Sequence, residues 1–271
     1  MQKLMLSAQA IHFCIRKKPI VDQANMVIQP GEILAVLGPN GAGKSTLFKI
    51  LSGEIPCSHG QVEYNGLQIG SLKPQQLAEV RAVMPQHSSV NFPFTAKEVI
   101  ELGMIAVKAK NPRKILEEVI ELTGTAHLQD KLYQHLSGGE KQRVQLARVL
   151  VQIWESKPFP RYLLLDEPTS SLDIAQQHAV LGILEKLKSK NIGILVILHE
   201  LNLAAQYADR IALLKNGLVA KVGPVNEIME EKLLSQVFDY PVQLMKNPLN
   251  GNWIVGTSAH SFSNLSKSKQ A

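Results

Sequence analysis

Nine consecutive residues carry the strongest chemical signal in the chain: Gly38-Pro39-Asn40-Gly41-Ala42-Gly43-Lys44-Ser45-Thr46. Gly38, Gly43, Lys44 and Ser45 fit the pattern G-x-x-x-x-G-K-[ST]. Glycines let a backbone wrap a phosphate so that several N–H groups point inward at the start of a helix. Lys44 supplies a point charge for β- and γ-phosphates, and the Ser45 hydroxyl supplies a ligand for Mg2+. The chemistry implied is nucleoside triphosphate binding.

Two further motifs add to it. In Tyr162-Leu-Leu-Leu-Asp166-Glu167 an apolar run ends in carboxylates, which describes a buried strand delivering Asp166 to a sheet's C-terminal edge, where ligands of open α/β sheets bind. Asp166 would hold Mg2+ through its water shell, and Glu167 could accept a proton from an attacking water. In Leu136-Ser-Gly-Gly-Glu-Lys-Gln-Arg143, Ser137 is a helix N-cap ahead of Gly138 and Gly139. A capped helix start is also an anion site. A second anion site in a chain that already has a phosphate loop points to another chain's nucleotide as its target.

These residues need elements to hold them. Glu32 to Leu37 reads as a strand running into the Gly-rich turn, and Lys44 to Leu51 as the helix that follows. Arg81 to Met84, Tyr162 to Leu165, Ile194 to Leu198 and Ile211 to Leu214 are further strand candidates. Near-continuous apolar runs of this length suit a parallel sheet covered by helices on both faces. Residues 95–155 break the alternation: Thr95 to Met104, Pro112 to Leu122 and Gly138 to Trp154 read as helices, an all-helical insertion ended by Pro158 and Pro160. Asn247 to Val255 could form a last hairpin around Asn250-Gly251, and the Ser-, Asn- and Lys-rich end of the chain cannot build a core.

Composition sets outer limits. The 271 residues are 45% hydrophobic and 19% charged, an ordinary globular balance. The run Ile192 to Leu198 is far shorter than the about 20 apolar residues needed to span a bilayer. MQKLMLSAQA lacks the apolar stretch and cleavage site of a secretory leader. Cys14 and Cys57 form neither a CxxC pair nor a metal-ligand cluster, so an intracellular protein without a disulfide framework is expected. Twenty-nine basic and 23 acidic residues leave a net charge of +6, of which residues 241–271 carry +3 through Lys246, Lys267 and Lys269. Basicity placed there is no argument for nucleic-acid binding.

Over residues 3 to about 240 the chain resembles an ABC-transporter ATPase subunit. Walker A (Gly38 to Thr46), the LSGGE signature (Leu136 to Glu140) and Walker B (Leu163 to Glu167) occur in that family's order. So do a Q-loop glutamine, Gln86, a D-loop, Ser171-Leu-Asp173, and a switch histidine, His199. The resemblance implies a P-loop NTPase (RecA-like) α/β core over 1–86 and 160–240, with an N-terminal antiparallel β-subdomain and an inserted helical subdomain over 87–159. Residues 241–271 would be an extension. It implies a head-to-tail homodimer with two ATP molecules sandwiched, Ser137, Gly138 and Gly139 contacting the γ-phosphate in trans. Glu167, His199 and Gln86 would be catalytic, and Ser45, Gln86 and Asp166 would hold Mg2+. Asp173 could cap the next helix as well as contact the partner copy.

Family members usually stack adenine on an aromatic residue about 29 positions before the Walker A lysine. That position is Ile15 here, and stacking by neighbouring Phe13 is the alternative. The short interval from Gln86 to Ser137 and the Trp154-to-Arg161 tract resemble the ATPases of hemin importers, with siderophore and cobalamin importers as alternatives. With no membrane span of its own, such a subunit would sit on the cytoplasmic face of a bacterial inner membrane. It would energise two permease subunits fed by a periplasmic binding protein. DNA-repair and translation ATPases of the family have mid-chain coiled coils or paired cassettes, and neither is present.

Overall fold

The computed structural model describes residues 4–86, 88, 90 and 92–257. Two antiparallel strands, β1 (Leu6–Ile15) and β2 (Lys18–Ile28), precede β3 (Ile33–Leu37), the phosphate loop and α1 (Lys44–Ser52). Next come β4 (His59–Tyr64), β5 (Leu67–Gln68), α2 (Pro74–Val80) and β6 (Arg81–Met84). A helical stretch holds α3 (Ala96–Glu101), α4 (Pro112–Leu122) and α5 (Gly138–Ile153). The chain then returns through β7 (Arg161–Asp166), α6 (Ile174–Lys188), β8 (Ile192–Ile197), α7 (Leu201–Tyr207), β9 (Arg210–Lys215) and β10 (Leu218–Pro224). Last are α8 (Val225–Ile228), α9 (Glu231–Phe238), β11 (Val242–Lys246) and β12 (Trp253–Thr257).

The main sheet has the order β10-β9-β3-β8-β7-β6. Its central strands β9, β3, β8 and β7 read as unbroken apolar runs because each face is buried in a different core. Ala35, Leu37, Leu163, Leu165, Ile194, Val196, Ile211 and Leu213 point to one side, where the helical stretch and α6 pack. Leu34, Val36, Leu164, Leu195, Ile197, Ala212 and Leu214 point to the other, against α1 and the antiparallel sheet β2-β1-β4-β5. Alternation along a strand sorts the two sets, and both are apolar since neither face meets water.

One edge departs from the all-parallel expectation: β10 pairs antiparallel with β9. The reason is local. Asn216 and Gly217 both have positive φ, +49° and +81°, as a two-residue hairpin turn requires, and so short a link can only join antiparallel strands. The expected helix at Thr95 starts one residue later, with Thr95 as its cap accepting from the Glu98 N–H, and its end tightens to a 3-10 turn at Leu102–Met104. That turn passes so close to α5 that a Cβ on Gly103 would sit 1.9 Å from the Arg148 carbonyl oxygen. Gly103→Ala is therefore expected to destabilise the protein by about 1–3 kcal/mol through overpacking. Urea unfolding checks it, and an unchanged midpoint would disprove the close packing.

The β11–β12 hairpin lies against α7 and α9. Asn202 of α7 bonds it twice, accepting the Val255 N–H at 2.7 Å and donating to the Val255 carbonyl at 3.3 Å. Trp253 donates its indole N–H to Asn226.

Candidate functional site

The phosphate loop joins β3 to α1, and its glycines are there for space as well as for φ. At Gly43, with φ +98°, a Cβ would meet the Ile20 carbonyl oxygen at 2.5 Å. At Gly38 it would meet the Leu214 carbonyl oxygen at 2.1 Å. The loop is thus clamped between β2 and β9. Gly43 is also the N-cap of α1 and offers no side chain to that helix start. The first N–H groups of α1 are therefore left to an external acceptor, with the positive end of the helix dipole behind them.

Lys44 is buried, and its Nζ donates to the carbonyl oxygens of Gly38 at 2.8 Å and Pro39 at 3.1 Å. These bonds hold the ammonium over the loop. Burial lowers its pKa, opposed by the charges of Glu167 and Asp166. The loop residues Asn40 to Thr46, together with Ile20, Glu167 and His199, line one cleft of about 330 Å³.

Asp166 ends β7, buried, with Oδ1 lacking any hydrogen-bond partner. Burial, and next the charge of Glu167, push its carboxyl up to about 6, against the pull of Lys44 and His199. An orphaned buried carboxylate oxygen whose charge acts on the lysine of an anion-binding loop fits a hard, oxygen-seeking cation such as Mg2+. The residues present therefore suit that ion.

Glu167 follows with φ +53°, a strained value for a non-glycine residue. Its carboxylate is gripped on both oxygens: Gln86 Nε2 donates to Oε2 at 2.7 Å, and His199 Nε2 stands 2.5 Å from Oε1. The backbone is gripped as well, since its carbonyl accepts from Gln142 Nε2 at 3.0 Å and from the Ser170 hydroxyl at 3.2 Å. Four side chains, three of them distant in sequence, thus hold one acid at the rim of the phosphate cleft. Such an arrangement can orient a water for in-line attack and receive its proton.

Ser137 caps α5 in a reciprocal box: its Oγ accepts from the Glu140 N–H at 3.3 Å, and the Glu140 carboxylate accepts from the Ser137 N–H at 2.8 Å. Those bonds hold Glu140's carboxyl below its ordinary pKa. Neither Ser137 nor Gly138 nor Gly139 lines the cleft with Lys44. Gly139 instead packs by Leu172 and Gln176, beside the Ser171-Leu172-Asp173 turn, and Asp173 caps α6 by accepting from the Gln176 N–H.

Phe13 is half-buried against the core between the antiparallel sheet and α1 and does not line the cleft, while Ile15 is 52% exposed. Ile20 lines it instead. The β1–β2 register runs from Phe13↔Val21 to Cys14↔Pro19, leaving Ile20 as an unpaired bulge residue turned toward the loop. Sequence patterning alone gives no sign of that bulge. Gln142 has a signal in the sequence, its place two residues past the signature motif on the same helix.

The sequence profile of the ABC transporter family matches residues 21–170. The chain is 44% identical over 252 residues to the hemin import ATP-binding protein HmuV of Gloeobacter violaceus, covering 91% of this chain and 92% of that protein. It is equally identical, over 92% of its own length and 96% of the relative's, to the protein of the same name from Vibrio parahaemolyticus. Among solved structures, an inward-facing metal-chelate type ABC transporter superposes with a TM-score of 0.77 at 26% identity, over 95% of this chain and 98% of that one. The ATP binding subunit of another ABC transporter gives 0.74 at 25%, over 83% and 91%. A phosphate loop clamped by β2 and β9, an acid gripped from both sides at its rim and this breadth of likeness lead to one conclusion: the chain belongs to the ATP-binding subunits of ABC transporters.

Proposed function

We propose that this chain hydrolyses ATP to drive a hemin importer, as a peripheral subunit on the cytoplasmic face of a bacterial inner membrane. The observation that carries the ATPase assignment is the grip of Gln86 and His199 on Glu167 beside the phosphate loop. Hemin as cargo rests on identity over nearly the full length of relatives named for hemin import.

In this reading the loop amides from Gly38 to Thr46 and the Lys44 ammonium bind the β- and γ-phosphates. Asp166, Ser45 and the Gln86 amide oxygen would hold Mg2+, which would neutralise phosphate charge when bound. Glu167 accepts the proton of the attacking water. His199, its Nε2 proton shared with Glu167, turns that proton toward the γ-phosphate as charge builds there. Adenine rests on the aliphatic surface of Ile20 and Ile15, since Phe13 is committed to the core.

Ser137, Gly138 and Gly139 lie outside the chain's own cleft, so their phosphate contacts come from a second copy packed head to tail. ATP then contacts both copies in the closed pair and one copy in the open form, and so drives closure. The docking surface for permease subunits is a groove of about 770 Å³ in the helical stretch, lined by Lys97, Glu101, Met104, Leu116 and Ile120. It belongs to the same helical stretch as α5, whose Gln142 holds the Glu167 backbone.

The cargo is tested by purifying the chain with its permease subunits in vesicles and adding periplasmic binding proteins loaded with hemin, ferric siderophore or cobalamin. Stimulation of ATP hydrolysis by the hemin-loaded protein is expected. Stimulation by another loaded protein alone would refute hemin. For the pairing, Ser137→Arg is expected to abolish ATP-dependent dimerisation in size-exclusion chromatography while leaving single-copy ATP binding intact.

A further inference from the structure

A second cluster of reactive side chains lies outside the phosphate cleft. On β1, His12 and Cys14 are two residues apart and share a strand face, while Phe13 between them turns inward to the core. Cys14 Sγ lies 3.1 Å from His12 Nε2. The other ring nitrogen, His12 Nδ1, lies 2.8 Å from Asp22 Oδ1 on β2. The three side chains form a relay of thiol, imidazole and carboxylate.

The chemistry follows from donor and acceptor rules. An ionised carboxylate only accepts, so Nδ1 carries the imidazole proton and Nε2 presents its lone pair to the thiol. That is the arrangement by which a base, oriented by a third group, activates a sulfur nucleophile. The ring has little room to turn away, because the His59 ring packs at 5.9 Å from it and Asp22 holds its far side. Asp22 is itself positioned by its backbone N–H, which donates to the Gly217 carbonyl at 2.8 Å. The His12–Asp22 hydrogen bond is partly open to water, with His12 25% and Asp22 40% exposed, and Cys14 is only partly buried. Small reagents can therefore reach the sulfur.

From this geometry we infer that Cys14 is an activated thiol, a modification site for peroxides and other small soft electrophiles. With hydrogen peroxide the step is closed. His12 Nε2 takes the Sγ proton, the sulfur attacks one peroxide oxygen and the O–O bond breaks. The departing hydroxide takes the proton back from the imidazolium as water. Sulfur is oxidised to sulfenic acid, and peroxide is the oxidant reduced. Nothing in this step depends on the ATPase assignment.

Cys57 supplies an internal reference. It is also partly buried, but its Sγ contacts a backbone carbonyl, that of Gly60 at 3.5 Å, and no base among the described residues. The full-length protein is treated with hydrogen peroxide and dimedone, and labelling of each cysteine is followed by mass spectrometry. Cys14 is expected to label about tenfold faster than Cys57, the gain available to a base-activated thiol over an ordinary one near neutral pH. Asp22→Asn and His12→Gln should each bring Cys14 down to the Cys57 rate while Cys57 stays unchanged, which also reports that the variant is folded. Should one variant unfold, the other decides. Equal rates in the parent protein would overturn the inference. So would a fast Cys14 that neither variant slows, since exposure alone would then explain it.

Discussion

Glu167→Gln is expected to lower steady-state ATP hydrolysis by about 10²–10⁴-fold, the range for losing a general base, with ATP binding nearly unchanged. The substitution keeps shape and removes basicity. Gln86 already donates to one oxygen of this side chain and His199 stands against the other. A glutamine can still accept from Gln86 through its carbonyl and offer its amide to His199, whose ring then accepts by changing tautomer. The grip on the side chain survives, and with it the cleft, so the loss is chemical. Phosphate release under multiple turnover measures the rate, and equilibrium nucleotide titration measures binding. The variant should also accumulate as an ATP-bound dimer. Hydrolysis at the parental rate would place the proton acceptor elsewhere.

Lys44→Ala is expected to weaken ATP binding by about 10–100-fold, matching the roughly 1.5–3 kcal/mol of a hydrogen bond to a charged group. Two opposing effects bear on folding. The substitution removes the bonds to Gly38 and Pro39, and it also removes an ammonium whose burial is unfavourable enough to lower its pKa. These partly cancel, so the thermal midpoint should move by only a few degrees. Titration with ATP and thermal unfolding separate the two effects. A collapse of the midpoint would mean that the lysine holds the loop together, and that its binding role had been overstated.

The two variants fail at different stages, since Lys44→Ala loses nucleotide and Glu167→Gln retains it without turning it over. His199→Ala offers a check on how they connect. It removes one of the two side-chain grips on Glu167 and the donor aimed at the cleft. Its rate should fall substantially, with binding close to that of Glu167→Gln.

Much of the fold was legible in the residues because the relevant rules are local. Strands β3, β7, β8 and β9 lie where apolar runs placed them, since burial on both faces leaves no polar alternation to obscure the signal. Ser137 and Asp173 cap helices for reasons that extend only three residues. The G-x-x-x-x-G-K-[ST] pattern is equally local, because the loop's conformation is set by its own glycines. Helix α2 was not anticipated: its seven residues are too few to show a repeat, and its apolar Leu77 and Val80 are only partly buried. The antiparallel edge at β10 is encoded by the Asn216-Gly217 turn rather than by an apolar run, since β10 is largely exposed.

The sequence by itself determined which chemistry the chain has available: a phosphate loop, a carboxylate at a strand end and a capped signature helix. Their meeting was decided by the tertiary structure. Gln86 and Glu167 are 81 positions apart, and only the pairing of β6 with β7 beside β8 brings them and His199 to one sheet edge. Ile20 reaches the cleft through a bulge, while Phe13 is drawn into the core by the apolar surface beneath it. Long-range strand order and competition for burial are collective properties of the packed chain, and no short window of residues encodes them.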